Sequence, residues 1–133
     1  GYKPQGAPIG ASYLYFVDSR PDSGAFEQYL ESHPGSIDLC LGGHTHTHPD
    51  DTHGGKSHVE TKWGGTHFIN AACLSRYHGP ENVPKSRLLT FEKGSNKVRV
   101  QCYMHSDEFL PQGWYERVER TLELTRPFCR EKP

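Results

Sequence analysis

The sequence lacks the features that mark several common classes of protein. Its 133 residues contain no apolar run of about 20 residues, the length that a membrane-spanning helix requires. The formal net charge is −1 and the basic residues are dispersed, so no patch for nucleic acid or for an anionic membrane is evident. Only 33% of the residues are hydrophobic, but two Trp, seven Tyr and six Phe argue against a disordered chain. We therefore expect a folded unit without a membrane or nucleic-acid partner.

Cysteines are few, and their spacing excludes two common kinds of site. The sequence has four cysteines and no C-x-x-C pair, which zinc ribbons and thioredoxin-type redox sites require. Cys40, Cys73 and Cys102 lie in apolar runs, where buried free thiols are the ordinary state. This usage favours a reducing compartment, and we expect a cytoplasmic protein.

The first third of the chain alternates between strand-like and helix-like segments. The apolar run Ala11–Val17 predicts a strand that is covered on both faces. Apolar residues at helical spacing follow in Phe26–Leu30, and His33-Pro34-Gly35 ends that helix. Ile37–Leu41 predicts a short buried strand. A strand, a helix and a strand in this order favour an α/β arrangement of layers.

The rest of the chain predicts a long loop, three strands and a second helix. Thr47–Gly65 is polar and rich in glycine, so we expect a surface loop there. Thr66–Leu74 predicts a buried strand, and Arg87–Glu92 with Lys97–Met104 predicts a hairpin. Trp114, Val118 and Leu122 recur every four residues, which predicts an amphipathic helix before Pro127. With no repeat and no linker, residues 1–133 are expected to form a single unit.

Histidine is concentrated in one place. Five of the nine histidines lie between His44 and His58. The predicted strand Ile37–Leu41 runs into Gly42-Gly43, and His44 and His46 follow, so that an extended backbone would point both imidazoles to the same side. Imidazole suits Zn, Fe or Mn, and α/β proteins hold their sites at the carboxyl ends of strands. His44 and His46 are therefore candidate metal ligands, with solvated loop histidines as the alternative.

Three segments resemble a known family. Asp38–His46, with the sequence D-L-C-L-G-G-H-T-H, resembles the last signature of the calcineurin-like metallophosphoesterases, an apolar strand that ends in G-H-x-H. Thr66–Ala72 is similar to the T-x-F-I-N-x-G/A strand that follows in that family. The hairpin at Arg87–Met104 is similar to the closing antiparallel strands of the family. The resemblance thus covers Asp38 to about Met104.

The resemblance implies a fold, a reaction and a metal centre. The fold is α/β, part of a two-sheet metallophosphoesterase sandwich flanked by helices, with a mixed sheet and a C-terminal antiparallel hairpin. The reaction is the hydrolysis of phosphate mono- or diesters at two divalent transition metals, which are Mn, Fe or Zn. His44 would bind one ion and His46 the other. The substrate would be a phosphate ester.

The chain departs from the family pattern upstream of the histidines. It contains no Gly-Asp and no Gly-Asn dipeptide, which the family's G-D and G-N-H-D/E motifs need. Its one D-x-H, at Asp51–His53, comes after the signature, and 43 residues precede His44. Gly1 is neither an initiator Met nor part of a signal peptide. We expect the C-terminal portion of such a domain, inactive alone, whose exposed sheet allows self-association.

Other polar residues leave alternatives open. The residues after the motif could form a separate metal site or a substrate-facing loop, or could be solvated: His48, Asp50, Asp51, His53 and His58. Arg76 could hold a phosphate or form a structural ion pair. His67 and Asn70 are three residues apart on one predicted strand and are expected to face opposite sides. A non-catalytic, His-rich metal-binding or interaction module is the alternative function.

Overall fold

A computed structural model describes residues 24–42, 59–71, 84–105 and 112–129. These residues form one α-helix, seven β-strands and one 3-10 turn. In chain order the elements are α1 (Gly24–Ser32), β1 (Leu39–Gly42), β2 (Val59–Lys62), β3 (Thr66–Asn70), β4 (Lys85–Phe91), β5 (Lys97–Met104), β6 (Gly113–Trp114), the 3-10 turn (Glu116–Val118) and β7 (Arg120–Glu123). The strand predicted at Ala11–Val17 lies outside the described residues.

The first sheet is mixed and has the order β1-β3-β2. Its strand β1 pairs in parallel with β3, and Gly42 is opposite Asn70 in the register. The helix predicted before β1 is confirmed as α1, whose Leu30 is buried. The prediction of a buried strand at Ile37–Leu41 is only partly right, because β1 is half-buried and Leu41 is 56% exposed. Among the described strands, β1 has a neighbour on one side only.

A hairpin connects β2 to β3, and the sequence had predicted a loop there. Residues 59–62 pair antiparallel with β3, so the loop prediction for Thr47–Gly65 is wrong for this part, and residues 47–58 lie outside the described ones. The turn runs from Trp63 to Gly65 with positive φ at all three residues. A Cβ added to Gly64 would lie 2.1 Å from the backbone oxygen of Leu30. Glycine at this position therefore lets the turn pack against α1.

The second sheet is antiparallel and is organised around β5. The predicted hairpin is confirmed, because β4 pairs antiparallel with β5 along seven residues. On the other side of β5, β6 and β7 pair with its two ends. Val98, Val100, Cys102 and Met104 are each at most 1% exposed and alternate with less buried residues. One face of this strand is therefore buried and the other is in contact with solvent.

The helix predicted from Trp114 to Leu122 is wrong. This segment holds β6, the 3-10 turn and β7 instead. The Tyr115 backbone N–H donates to the Cys102 carbonyl oxygen at 2.9 Å, and Leu122 is opposite Val98 in the register. An interval of four residues places Val118 and Leu122 on the buried side in either conformation. The segment forms strands because the second edge of β5 has backbone N–H and C=O groups that need partners. A helix in this segment would leave those groups of β5 without hydrogen bonds.

The two sheets share one apolar cluster. Ile69 from the first sheet packs with Val98, Val100 and Leu122 from the second, and Leu124 completes the buried set. The molecule is thus mixed α/β and mostly sheet. The nine-residue α1 is much shorter than a bilayer crossing needs, and no other helix in the described part of the chain is long and apolar enough to cross a membrane.

Candidate functional site

The carboxyl ends of β1 and β3 lie side by side. Gly42 is the last residue of β1 and Asn70 the last of β3, and the parallel register places them opposite one another. The backbone N–H of Ala71 donates to the Gly42 carbonyl oxygen at 2.7 Å, which extends the pairing one residue further. We call Gly42, Asn70 and Ala71 the carboxyl edge. It is the edge of a parallel strand pair at which α/β proteins hold ligands.

The two predicted metal ligands follow directly after this edge in the sequence. Gly43 is the next residue after Gly42, and His44 comes after it. His44 and His46 themselves lie outside the described residues, as do five further candidates of the same segment, which are His48, Asp50, Asp51, His53 and His58. Arg76 also lies outside them. What the structure describes is the backbone from which the G-H-x-H motif begins.

A buried arginine from the second sheet reaches the carboxyl edge. Arg87 is opposite Cys102 in the hairpin register, so its side chain lies on the same inner face as that buried residue. Its Nε donates to the backbone oxygen of Asn70 at 3.3 Å. Its Nη1 and Nη2 are buried and have no hydrogen-bond partner in the described parts of the chain. An unsatisfied buried donor costs about 1–3 kcal/mol, and more when the group is charged.

The inner face around Arg87 is rich in positive charge. Lys85, two residues earlier on the same face, is only 1% exposed. Burial lowers the pKa of Arg87, and the neighbouring cation Arg120 lowers that pKa further, while the Cys102 thiol opposes the shift. Burial raises the pKa of Cys102, against the influence of Arg87 and Lys85. Of these cations, Arg87 is the one that contacts the carboxyl edge, through its bond to Asn70, and an anion is electrostatically favoured beside it.

His67 has a structural position in the core. It is 8% exposed, its Nε2 donates to the Glu123 carbonyl oxygen at 2.8 Å, and its Nδ1 accepts from the Thr61 hydroxyl at 2.7 Å. Both ring nitrogens are therefore hydrogen-bonded within the fold. His67 and Asn70 were expected to face opposite sides of the strand, and the structure places His67 in the core. Asn70 is half-buried at the carboxyl edge rather than open to water.

The prediction of buried free thiols is confirmed for Cys102 and only partly right for Cys40. Cys102 is buried and Cys40 half-buried, and both are free thiols. Burial raises the pKa of Cys40, so its thiol stays protonated near neutral pH. Cys73 lies outside the described residues, and Cys129 is a free, exposed thiol. Neither described strand cysteine has the lowered pKa that a nucleophile needs.

A second polar surface lies on the far side of β5. A shallow groove there is lined by Arg99, Glu116, Glu119, Arg120 and Thr121. Arg99 donates to both carboxylate oxygens of Glu119, at 2.5 and 3.0 Å, and this hydrogen bonding lowers the pKa of Glu119. Charges that satisfy one another in this way offer little to a ligand, so the groove is not a candidate site.

Sequence reasoning missed Arg87 and Lys85. Both are charged residues at alternate positions of a strand whose other inward residue, Leu89, packs on the shared cluster. Lys85, Arg87 and Leu89 alternate along the strand and therefore share one face. Which face of the strand points inward became clear only from the register of the hairpin. Among residues 24–42, 59–71, 84–105 and 112–129, no three His, Cys, Asp or Glu side chains lie together as a metal site would need.

Comparison with known proteins leaves the family open. No family model matches the chain, and neither a curated protein nor a solved structure gives a match.

Proposed function

We propose that His44 and His46 are ligands of a two-metal phosphoesterase centre at the carboxyl edge. The observation that carries the proposal is the position of Gly42, the last residue of a strand that pairs in parallel with β3. The G-H-x-H motif begins one residue later. In the resembling family this motif likewise follows an apolar strand. We also propose that the two sheets, which share an apolar cluster, belong to the sandwich of that family.

The donor set fits the metals that the resemblance implies. A pair of imidazoles suits Mn, Fe or Zn, and the spacing of His44 and His46 would point both rings to the same side if the backbone there is extended. When bound, such ions would activate water and stabilise the charge that develops on a phosphate ester. The guanidinium of Arg87, whose Nη atoms are buried beside Asn70, agrees with an anionic substrate. The substrate class is a phosphate mono- or diester.

The chain lacks the carboxylate motifs that would complete such a centre. It has no Gly-Asp and no Gly-Asn dipeptide, so the bridging Asp and its neighbours have no counterpart in the 133 residues. We therefore expect metal binding without turnover. Incubation with bis-p-nitrophenyl phosphate and Mn²⁺ should give a rate indistinguishable from the metal blank, and robust hydrolysis would contradict this.

Metal titration of matched variants tests the ligand assignment. Calorimetry with Mn²⁺ or Zn²⁺ should show binding by the unaltered chain that falls at least tenfold when His44 and His46 are both replaced by Ala. The control carries H53A and H58A, which removes two histidines of the same segment but spares the motif. We expect the control to bind within about twofold of the unaltered chain. Equal losses in both variants would favour a His-rich module in place of the phosphoesterase centre.

A further inference from the structure

Arg87 presents two guanidinium nitrogens that need an acceptor. Its Nε is satisfied by the Asn70 carbonyl oxygen, whereas Nη1 and Nη2 are shielded from solvent and have no partner in the described residues. Removing a cation from water without replacing its hydrogen bonds carries a large penalty. An acceptor with two oxygens in one plane would remove that penalty, because the guanidinium fork donates two parallel hydrogen bonds.

The surroundings of Arg87 favour an anion from outside the described core. Burial is the main influence on the pKa of Arg87, and Cys102, the residue opposite it in the register, has a raised pKa and is therefore a neutral thiol near neutral pH. Lys85 is buried two residues away on the same inner face. Arg87 and Lys85 thus place two cationic side chains at alternate positions on the inner face of β4, which favours an oxyanion electrostatically. Arg87 as a whole residue is only partly buried, so its surroundings are not closed to solvent on every side.

An anion bound by Arg87 would lie near the carboxyl edge. The bond from Nε to Asn70 fixes the guanidinium beside the last residue of β3, and Asn70 is paired with Gly42, from which the G-H-x-H motif begins. An oxyanion held by Nη1 and Nη2 would therefore lie close to the edge that the proposed metal ligands follow.

We propose that Arg87 binds the phosphate group of the substrate through Nη1 and Nη2 and orients it at the carboxyl edge. The identity of the ligand as a phosphate ester rests on the proposed function, whereas the need for an oxyanion rests on the geometry of Arg87. Arg87 is a binding and positioning residue. The phosphate forms no covalent bond to it, and no proton is transferred.

Binding of inorganic phosphate without metal tests this proposal separately from the metal centre. In EDTA, titration with phosphate should raise the melting temperature of the unaltered chain and give a saturable calorimetric signal. Arg87→Lys keeps the charge but loses the fork, and we expect the affinity to fall about tenfold. Arg87→Gln should lose binding altogether. The matched control is Arg99→Gln, on the opposite face of the same sheet and paired with Glu119, which should stay within twofold.

An NMR measurement on the unaltered chain tests the proposal even if the Arg87 variants do not fold. In the unaltered chain with labelled arginine, phosphate should shift the Nε–H resonance of Arg87 but not that of Arg99. The variant H44A/H46A should keep its phosphate affinity in EDTA, so loss of metal binding and loss of phosphate binding are separate results. The proposal is overturned if phosphate produces no thermal shift and no resonance shift.

Discussion

His67 is a buried histidine whose two ring nitrogens both make hydrogen bonds. It is buried between the first sheet and β7, and its two ring nitrogens bond to Thr61 and to the Glu123 carbonyl oxygen. Replacing His67 by Ala removes both bonds and leaves the Glu123 carbonyl without this donor. We expect the free energy of unfolding to fall by about 2–4 kcal/mol, measured by urea denaturation.

A second histidine provides the control for this substitution. His33 is exposed and bonds within the end of α1, to Ser32 and to the Tyr29 carbonyl oxygen. His33→Ala should change the free energy of unfolding by less than about 1 kcal/mol. Similar losses for the two variants would mean that the bridge made by His67 does not contribute to stability as described.

Among the elements, the turn between β2 and β3 depends most on one residue. Gly64 has φ +69°, and a Cβ there would meet the backbone of Leu30 at 2.1 Å, an atom that cannot move without displacing α1. We expect Gly64→Ala to lower the free energy of unfolding by about 3 kcal/mol or more, since conformational strain and a backbone clash add together. Thermal or urea denaturation measures this loss.

The hairpin between β4 and β5 offers a matched glycine. Gly94 has φ +81°, and a Cβ there has nothing within 4 Å. Gly94→Ala should therefore cost only the conformational strain, about 1 kcal/mol. If Gly64→Ala costs no more than Gly94→Ala, the close approach of the turn to α1 is contradicted.

Some of the observed strands could be predicted from a local sequence pattern, and others could not. The alternation of Val98, Val100 and Cys102 with polar residues predicted β5 correctly, because a period of two requires one wet face. The interval of four from Trp114 to Leu122 predicted a helix and was wrong, because pairing with β5 outweighs a short helical pattern. Strand β2 was missed because its four polar and β-branched residues become a strand only through β3.

At the scale of the molecule, a polar link connects the start of β1 to the C-terminal segment. Asp38 Oδ1 accepts from both the backbone N–H and the hydroxyl of Thr125, each at 2.9 Å. Asp38→Ala should lower the free energy of unfolding by about 1–2 kcal/mol in urea denaturation, because two bonds between distant parts of the chain are lost. Asp38→Asn retains an acceptor oxygen and should lose at most about 0.5 kcal/mol. Equal effects of both substitutions would contradict the hydrogen-bonding role.

The site was predictable from the sequence to a different extent than the fold. The sequence predicted the strand that precedes Gly42-Gly43, and β1 confirms a strand there, whereas His44 and His46 as metal ligands stay a prediction. Arg87 was not predictable, because its approach to Asn70 depends on how the second sheet packs on the first. Such contacts arise from residues far apart in the chain, and no local pattern encodes them.

The most direct test of the central proposal is the location of bound Mn²⁺. Paramagnetic broadening of the backbone amide resonances reports which residues lie near the ion. We predict that substoichiometric Mn²⁺ broadens Gly42, Asn70 and Ala71 first and leaves Gly94 sharp, and that H44A/H46A abolishes the effect. Broadening centred elsewhere, or unchanged in H44A/H46A, would contradict a metal centre at the carboxyl edge.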